Sequence, residues 1–210
     1  MATYDLEEQE QIDALKAWWK HNGSTVILAF AIFVAAVAGV QGWRHYQSNQ
    51  AVKASMMYEV LQSVAKSGDA KKTRDAAGQI MEQHPGTPYA ARAALIAAHA
   101  NYDSGDVQSA KAQLLWVTEH AKENEVRDIA RLRLAGLLLD EKDYAQALKQ
   151  VETQPNPAFA ALFADMKGDI LAVQGKQSEA RGAYQIALDK IGEKSPYRQM
   201  IKMKMENLGG

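Results

Sequence analysis

Residues 161–192 read ALFADMKGDILAVQGKQSEARGAYQIALDKIG. Two apolar, helix-patterned segments flank the turn Gln174-Gly175-Lys176, and Gln177, Ala180, Tyr184 and Ala187 follow it at helical spacing. The spacing predicts two antiparallel helices packed through a short turn, with Gly175 supplying the left-handed backbone conformation there. A small residue in the second helix, Ala180, lets the helices approach closely. A large one four positions later, Tyr184, fills the groove between them.

The same arrangement recurs upstream. One stretch runs from Ala91 to about Lys122, with the turn Ser104-Gly105-Asp106 and then Val107, Ala110, Leu114 and Val117. Another runs from Asp128 to about Phe159, with the turn Glu141-Lys142-Asp143 and then Tyr144, Ala147 and Val151. Gly105, Lys142 and Gly175 lie 37 and 33 residues apart, close to the tetratricopeptide period of about 34. The 161–192 stretch resembles that consensus well, through Lys167-Gly168-Asp169-Ile170-Leu171, Gly175, Glu179-Ala180-Arg181 and Ala183-Tyr184. The other two are degenerate and lack the Trp expected early in the first helix. An earlier pair is expected at Gln47 to Lys66 and Lys71 to His84, joined at Ser67-Gly68-Asp69. Thr87 and Pro88 read as an N-cap and first helical residue. Ser195-Pro196 repeats that start signal for a last helix to about Asn207, which would cover the end of the array. The fold class is therefore all-α, a helical-repeat solenoid with a C-terminal capping helix.

Ahead of the repeats, residues 24–43 carry no charge. Twenty helical residues span about 30 Å, enough to cross a bilayer's hydrocarbon core. Val26, Ile27, Leu28, Phe30, Ile32, Phe33, Val34, Val37 and Val40 favour insertion by roughly 3–5 kcal/mol together. Trp18 and Trp19 precede the span, and Trp43 and Tyr46 follow it, as amphipathic rings do at headgroup level. A cleaved signal peptide and a buried core helix are the alternatives, and Ala36-Val37-Ala38 resembles a cleavage site. Against cleavage, the first 23 residues carry Asp5, Glu7, Glu8, Glu10 and Asp13 against Lys16 and Lys20, where a signal peptide has a basic n-region. Orientation is a tie on charge, with Lys16 and Lys20 before the span and Arg44 and Lys53 after it. Ala31, Ala35 and Gly39 recur at four-residue spacing with Gly42 beside them, a candidate face for close helix packing in lipid.

Residues 1–23 form a tail with a helical stripe at Ile12, Leu15 and Trp19. Asp5 and Glu8 have capping-box spacing, and Asn22-Gly23 is the expected stop before the span. No breaker lies between Trp43 and Gly68, so the first repeat helix is free to continue from the span. The resulting division is a tail at 1–23, a transmembrane helix at 24–43 and a repeat domain at 44–210.

Chemistry is sparse. With no cysteine, thiolate catalysis, disulfides and Cys-ligated metals are excluded. The five histidines, His21, His45, His84, His99 and His120, show no metal-ligand spacing. No phosphate-binding glycine loop or nucleophile elbow is present. The 24 basic and 25 acidic residues leave a net charge of −1, which argues against nucleic acid as a partner. No cofactor, metal or enzymatic activity is expected. Function falls to the shape of the solenoid, whose first helices build a face suited to peptides and proteins. Candidate exposed residues on that face are Tyr89, Arg92, His99, Tyr102, Arg131, Phe159 and Phe163. Met56, Met57, Met200, Met203 and Met205 offer an adaptable apolar surface for clients, or core packing.

The opening Glu8-Gln9-Glu10-Gln11-Ile12-Asp13-Ala14-Leu15-Lys16-Ala17-Trp18-Trp19-Lys20-His21-Asn22-Gly23, a single span ending Gly42-Trp43-Arg44, and degenerate repeats closing on Met203-Lys204-Met205-Glu206-Asn207-Leu208 together resemble the YfgM family of ancillary subunits of the bacterial SecYEG translocon. The resemblance implies a type II inner-membrane protein with its tail in the cytoplasm and its repeats in the periplasm. It implies the SecYEG channel and the membrane-anchored periplasmic chaperone PpiD as partners, and a role in passing newly translocated, unfolded chains to chaperones. An alternative from a different class is a regulator that sequesters a signalling protein through the cytoplasmic tail.

Overall fold

The computed structural model describes residues 2–208, with side chains from residue 8 onward. The chain divides into two compact units, Met1–Asn49 and Gln50–Gly210. The described residues are helical with no strand. The expected capping box at Asp5 rests on a side chain outside the described residues.

Within the first unit the backbone is one uninterrupted helix, part of α1 (Ala2–Lys66). The expected stop at Asn22-Gly23 is not there. Asn22 Nδ2 donates back to the Trp18 carbonyl at 3.1 Å, and the Trp19 indole lies over Gly23, where an added Cβ would sit 3.3 Å away. The helix therefore passes through the pair with both residues accommodated on its flank. Its apolar side chains are exposed throughout the stretch from Ile27 to Val40. Among the described residues this is the one helix long and apolar enough to cross a membrane. The Trp18–Trp19 and Trp43–Tyr46 rings lie 6.5 and 6.0 Å apart, pairing the aromatics at each flank.

The second unit begins with the end of α1 and continues through α2 (Ala70–Gln83), α3 (Pro88–Asp103), α4 (Val107–His120), α5 (Asn124–Asp140), α6 (Tyr144–Val151), α7 (Ala160–Val173), α8 (Gln177–Lys190) and α9 (Tyr197–Glu206). Consecutive helices pack on one another, and α3, α5 and α7 also neighbour each other in chain order. This is a stack of helix pairs. All four turns within pairs hold one residue in the left-handed region: Gly68, Gly105, Lys142 and Gly175. At three of them the next residue, Asp69, Asp106 or Asp143, caps the following helix through its carboxylate. The side chain thereby satisfies an N–H that the helix itself leaves unpaired. Thr87 stands at the N-cap of α3, as expected, but makes no capping bond; its hydroxyl donates to the His84 carbonyl at 2.8 Å instead.

The packing logic is as the spacing predicts. Ala110, Ala147 and Ala180 are fully buried, with Leu114, Val151 and Tyr184 closing the grooves beside them. One core joins α3 to α7, a second joins the end of α1 to α2 and α3, and a third joins α7, α8 and α9. The second of the recurring stretches departs from expectation. Its second helix, α6, ends at Val151 after 8 residues where α2, α4 and α8 have 14. Pro155 and Pro157 follow within two helical turns, and proline neither donates a backbone bond nor favours a helical residue before it. The chain crosses instead through an irregular segment and a 3₁₀ turn, Pro157–Phe159.

The cap helix α9 is held by a charge cluster. Lys204 Nζ donates to Asp165 at 2.9 Å and to Asp169 at 2.7 Å, and the Tyr184 hydroxyl donates to Asp169 at 2.7 Å. Burial pushes the Asp165 carboxyl up from its usual range, despite the Lys204 ammonium. Arg198 donates to the Leu188 carbonyl at 2.7 Å, so it also closes the C-terminal end of α8.

Candidate functional site

Two of the seven candidate surface residues come together. His99 and Tyr102 are exposed on the last turns of α3 and line a cleft of about 360 Å³ with Leu114, Arg133, Gly136 and Leu137. Ala98, Leu114 and Leu137 form an apolar floor. His99, Tyr102, Arg133 and Asp140 form a polar rim. His99 Nδ1 lies 3.4 Å from an Asp103 carboxylate oxygen one turn on. Arg133, Gly136, Leu137 and Asp140 recur at helical spacing on one face of α5, so a single helix supplies the opposite wall. A Cβ on Gly136 would meet no atom, so the glycine widens the cleft without being required by packing.

The other five candidates have structural tasks. The Tyr89 ring packs against Tyr58 at 5.5 Å, tying α3 to the end of α1. Arg92 pairs with Glu123 at 2.6 Å and donates to the Pro88 carbonyl at 3.0 Å. Arg131 lies 3.7 Å from buried Asp128 and donates to the Thr153 hydroxyl at 3.4 Å. Asp128 in turn accepts from the Asn156 backbone N–H at 2.8 Å, anchoring the segment after α6. Phe159 packs half-buried against the core. Phe163, expected on the surface, is only 2% exposed and belongs to that core. In an alanine-rich helix several faces look equally apolar, and the 3.6-residue period alone points a ring to the wrong one. Sequence reasoning missed Arg133, Gly136 and Asp140; their spacing on one helical face was the available signal.

A larger cleft, about 1070 Å³, opens where α6 stops short. Val151, Pro155, Ala160, Ala164, Gly182 and Ile186 line it. Lys167 and Glu152 pair across its edge at 3.0 Å. The methionines divide: Met56, Met200 and Met203 are exposed, whereas Met57 and Met205 pack on core clusters. Among the described residues, no group of three or more His, Asp or Glu is placed to hold a metal ion.

Stacked helix pairs with left-handed turns, small residues at the helix crossings and a covering last helix define a tetratricopeptide-type solenoid. Residues 16–210 match the family model described as a tetratricopeptide repeat-like domain. The chain is 30% identical over 207 residues to the ancillary SecYEG translocon subunit of Neisseria gonorrhoeae, covering 97% of this chain and 98% of that protein. It is 31% identical over 209 residues to the protein of the same name from Haemophilus influenzae, covering 98% and 99%. It is 27% identical over 201 residues to that of Escherichia coli K12, covering 96% of each. The chain belongs to this tetratricopeptide repeat-like family, together with the proteins named ancillary SecYEG translocon subunit, as its opening and closing motifs had indicated.

Proposed function

We propose that this chain is a membrane-anchored, non-enzymatic protein-binding subunit associated with the SecYEG translocon. The observation that carries the reading is the near full-length match to proteins of that name, which takes in the apolar helix as well as the repeats. In this reading residues 24–43 span the inner membrane, residues 1–23 lie in the cytoplasm and residues 44–210 in the periplasm. The α3–α5 cleft is the contact site for another protein. Its apolar floor accepts one or two large side chains of an extended segment, and the rim of His99, Tyr102, Arg133 and Asp140 orients the segment's backbone and charges. PpiD and unfolded translocated chains are the proposed occupants. The small-residue face at Ala31, Ala35, Gly39 and Gly42 packs on a partner span in the bilayer; a Cβ at Gly39 or Gly42 would meet no atom, so that face is open in this chain.

The test is in-cell crosslinking from a photoreactive residue at position 102 of the tagged full-length chain, followed by detergent extraction and mass spectrometry. Translocon subunits, a periplasmic chaperone or translocating chains are the expected products. Crosslinks only to cytosolic proteins would overturn both the topology and the assigned face. Ala35→Leu with Gly39→Leu is expected to weaken co-purification of translocon subunits; unchanged recovery would remove the packing face from the proposal.

A further inference from the structure

The early end of α6 leaves one face of α8 uncovered. Along that face run Glu179, Gly182, Ala183, Ile186 and Lys190, all lining the large cleft. Six residues fewer than the other second helices means α6 falls short by about 9 Å. Ile186 is consequently 49% exposed, and a Cβ on Gly182 would meet nothing within 4 Å. A large side chain thus stands one turn from an open, glycine-made gap, with an acid at one end of the face and a base at the other.

We infer that this face binds a second copy of the chain, α8 against α8 of the partner, antiparallel across a two-fold axis. The positions carry the argument. Glu179 and Lys190 are centred between residues 184 and 185, and so are Ala183 and Ile186. One axis through that point therefore satisfies both pairs at once. It sets Ile186 of each copy over the Gly182–Ala183 step of the other, and Glu179 of each beside Lys190 of the other. Glu179 and Lys190 are exposed, and neither forms an ion pair among the described residues. An isologous contact of this kind requires a surface complementary to itself, in charge and in shape, and this stripe is both. Glycine and alanine allow the two helices to approach to about 8 Å, near the close end of helix packing distances. The area of one helix pair is below the roughly 1,200–2,000 Å² of a stable soluble dimer. The association is therefore weak in dilute solution and gains from confinement of both copies in one membrane.

The sequence has no cysteine, so a single introduced thiol reports on one position. Full-length chain carrying Ile186→Cys, the stripe residue nearest the axis, is treated in isolated membranes with a short thiol-to-thiol crosslinker. Ala112→Cys, exposed on α4, is the control. The expected result is a homodimer from Ile186→Cys and none from the control. Adding Glu179→Lys or Lys190→Glu lowers the yield at least fivefold, and adding both restores it, because each swapped residue meets its swapped partner. That restoration separates a lost contact from a lost fold. No homodimer, a product with a different protein, equal yield from the control, or indifference to the charge swaps would each overturn the inference. Failure of the chain to sediment with membranes would count against the anchoring reading alone, and the same crosslinks would then be read in concentrated solution.

Discussion

The α7–α8 and α5–α6 pairs meet the same packing demand with different residues. Seven positions before the left-handed turn residue stands the point of closest approach, and nine after it stands the side chain that fills the groove. In α7–α8 these are Gly168 and Tyr184; in α5–α6 they are Ala135 and Val151; in α3–α4 they are Ala98 and Leu114. The largest filler, Tyr184, faces the smallest residue, Gly168, whereas Val151 and Leu114 each face an alanine. The tyrosine solution is the tightest: a Cβ on Gly168 would lie 2.4 Å from the Tyr184 ring. It also reaches further, because the Tyr184 hydroxyl joins Asp169 to the Lys204 cluster. The aliphatic solutions bring no polar tie, and both open clefts border them, through Ala98 and Leu114 in one case and Val151 in the other. The larger cleft lies where the shortened α6 stops, between a degenerate pair and the pair closest to consensus.

The largest effect should come from exchanging one solution for the other halfway. Gly168→Ala drives a methyl into the Tyr184 ring, and overpacking of this severity costs about 3 kcal/mol. Adding Tyr184→Val, which completes the conversion to the α5–α6 solution, should recover at least about 1 kcal/mol relative to the sum of the single changes. Thermal unfolding of the full-length chain in mild detergent, followed by circular dichroism, measures both. Strict additivity would break the comparison.

Next in size is Lys204→Met, which leaves Asp165 and Asp169 near each other without their cation and should cost about 2 kcal/mol. The same cluster sets a pH dependence. Burial pulls the Lys204 ammonium down, but its bonds to Asp169 and Asp165 outweigh this and hold it above its usual 10.5. Burial and Asp169 hold the Tyr184 phenol above its usual 10.0. Both groups bind their protons more tightly in the folded chain, so their stabilisation is full below about pH 10 and is lost as the pH rises beyond it. Melting temperatures at pH 8 and pH 11 should differ more in the native chain than in Lys204→Met. A smaller gain is expected from Lys176→Asp. Position 176 corresponds to the capping residues Asp106 and Asp143 but makes no capping bond. Supplying the carboxylate should stabilise by about 1 kcal/mol in the same melts.

The helix pairs, their turns and their buried alanines were legible because each rests on local chemistry: glycine punctuation, helical period, small residues at crossings. The short α6 was written equally plainly in Pro155 and Pro157, but the repeat length suggested continuation to Phe159. The continuity of α1 through Asn22-Gly23 was not legible, since the pair reads as a stop unless neighbouring turns carry the helix across it. Site residues were legible least. Arg92 and Arg131 look like free surface cations until Glu123, Asp128 and Thr153 are brought beside them by packing. Phe163 looks like a surface aromatic until α7 is rotated into its place. His99 and Tyr102 were expected on the surface and are exposed at the end of α3, whereas the nearness of Arg133 and Asp140 to them needed the juxtaposition of α5.

The smallest effect tests the comparison at its pivot. Lys142 holds φ at 63°, where Gly68, Gly105 and Gly175 serve the other turns. A side chain in the left-handed region costs roughly 1–2 kcal/mol against its ordinary conformations, and glycine avoids most of that at the expense of a more flexible unfolded chain. Lys142→Gly should therefore stabilise by about 0.5–1 kcal/mol, and Gly175→Lys should destabilise by a similar amount. Lys142 is exposed and forms no ion pair among the described residues, so the shift reports chiefly on the backbone. If Lys142→Gly instead lowered the melting temperature, the α5–α6 turn would owe its geometry to something other than the residue at its left-handed position. The alignment of the three pairs on that residue, and the small-against-large rule drawn from it, would then have to be re-registered.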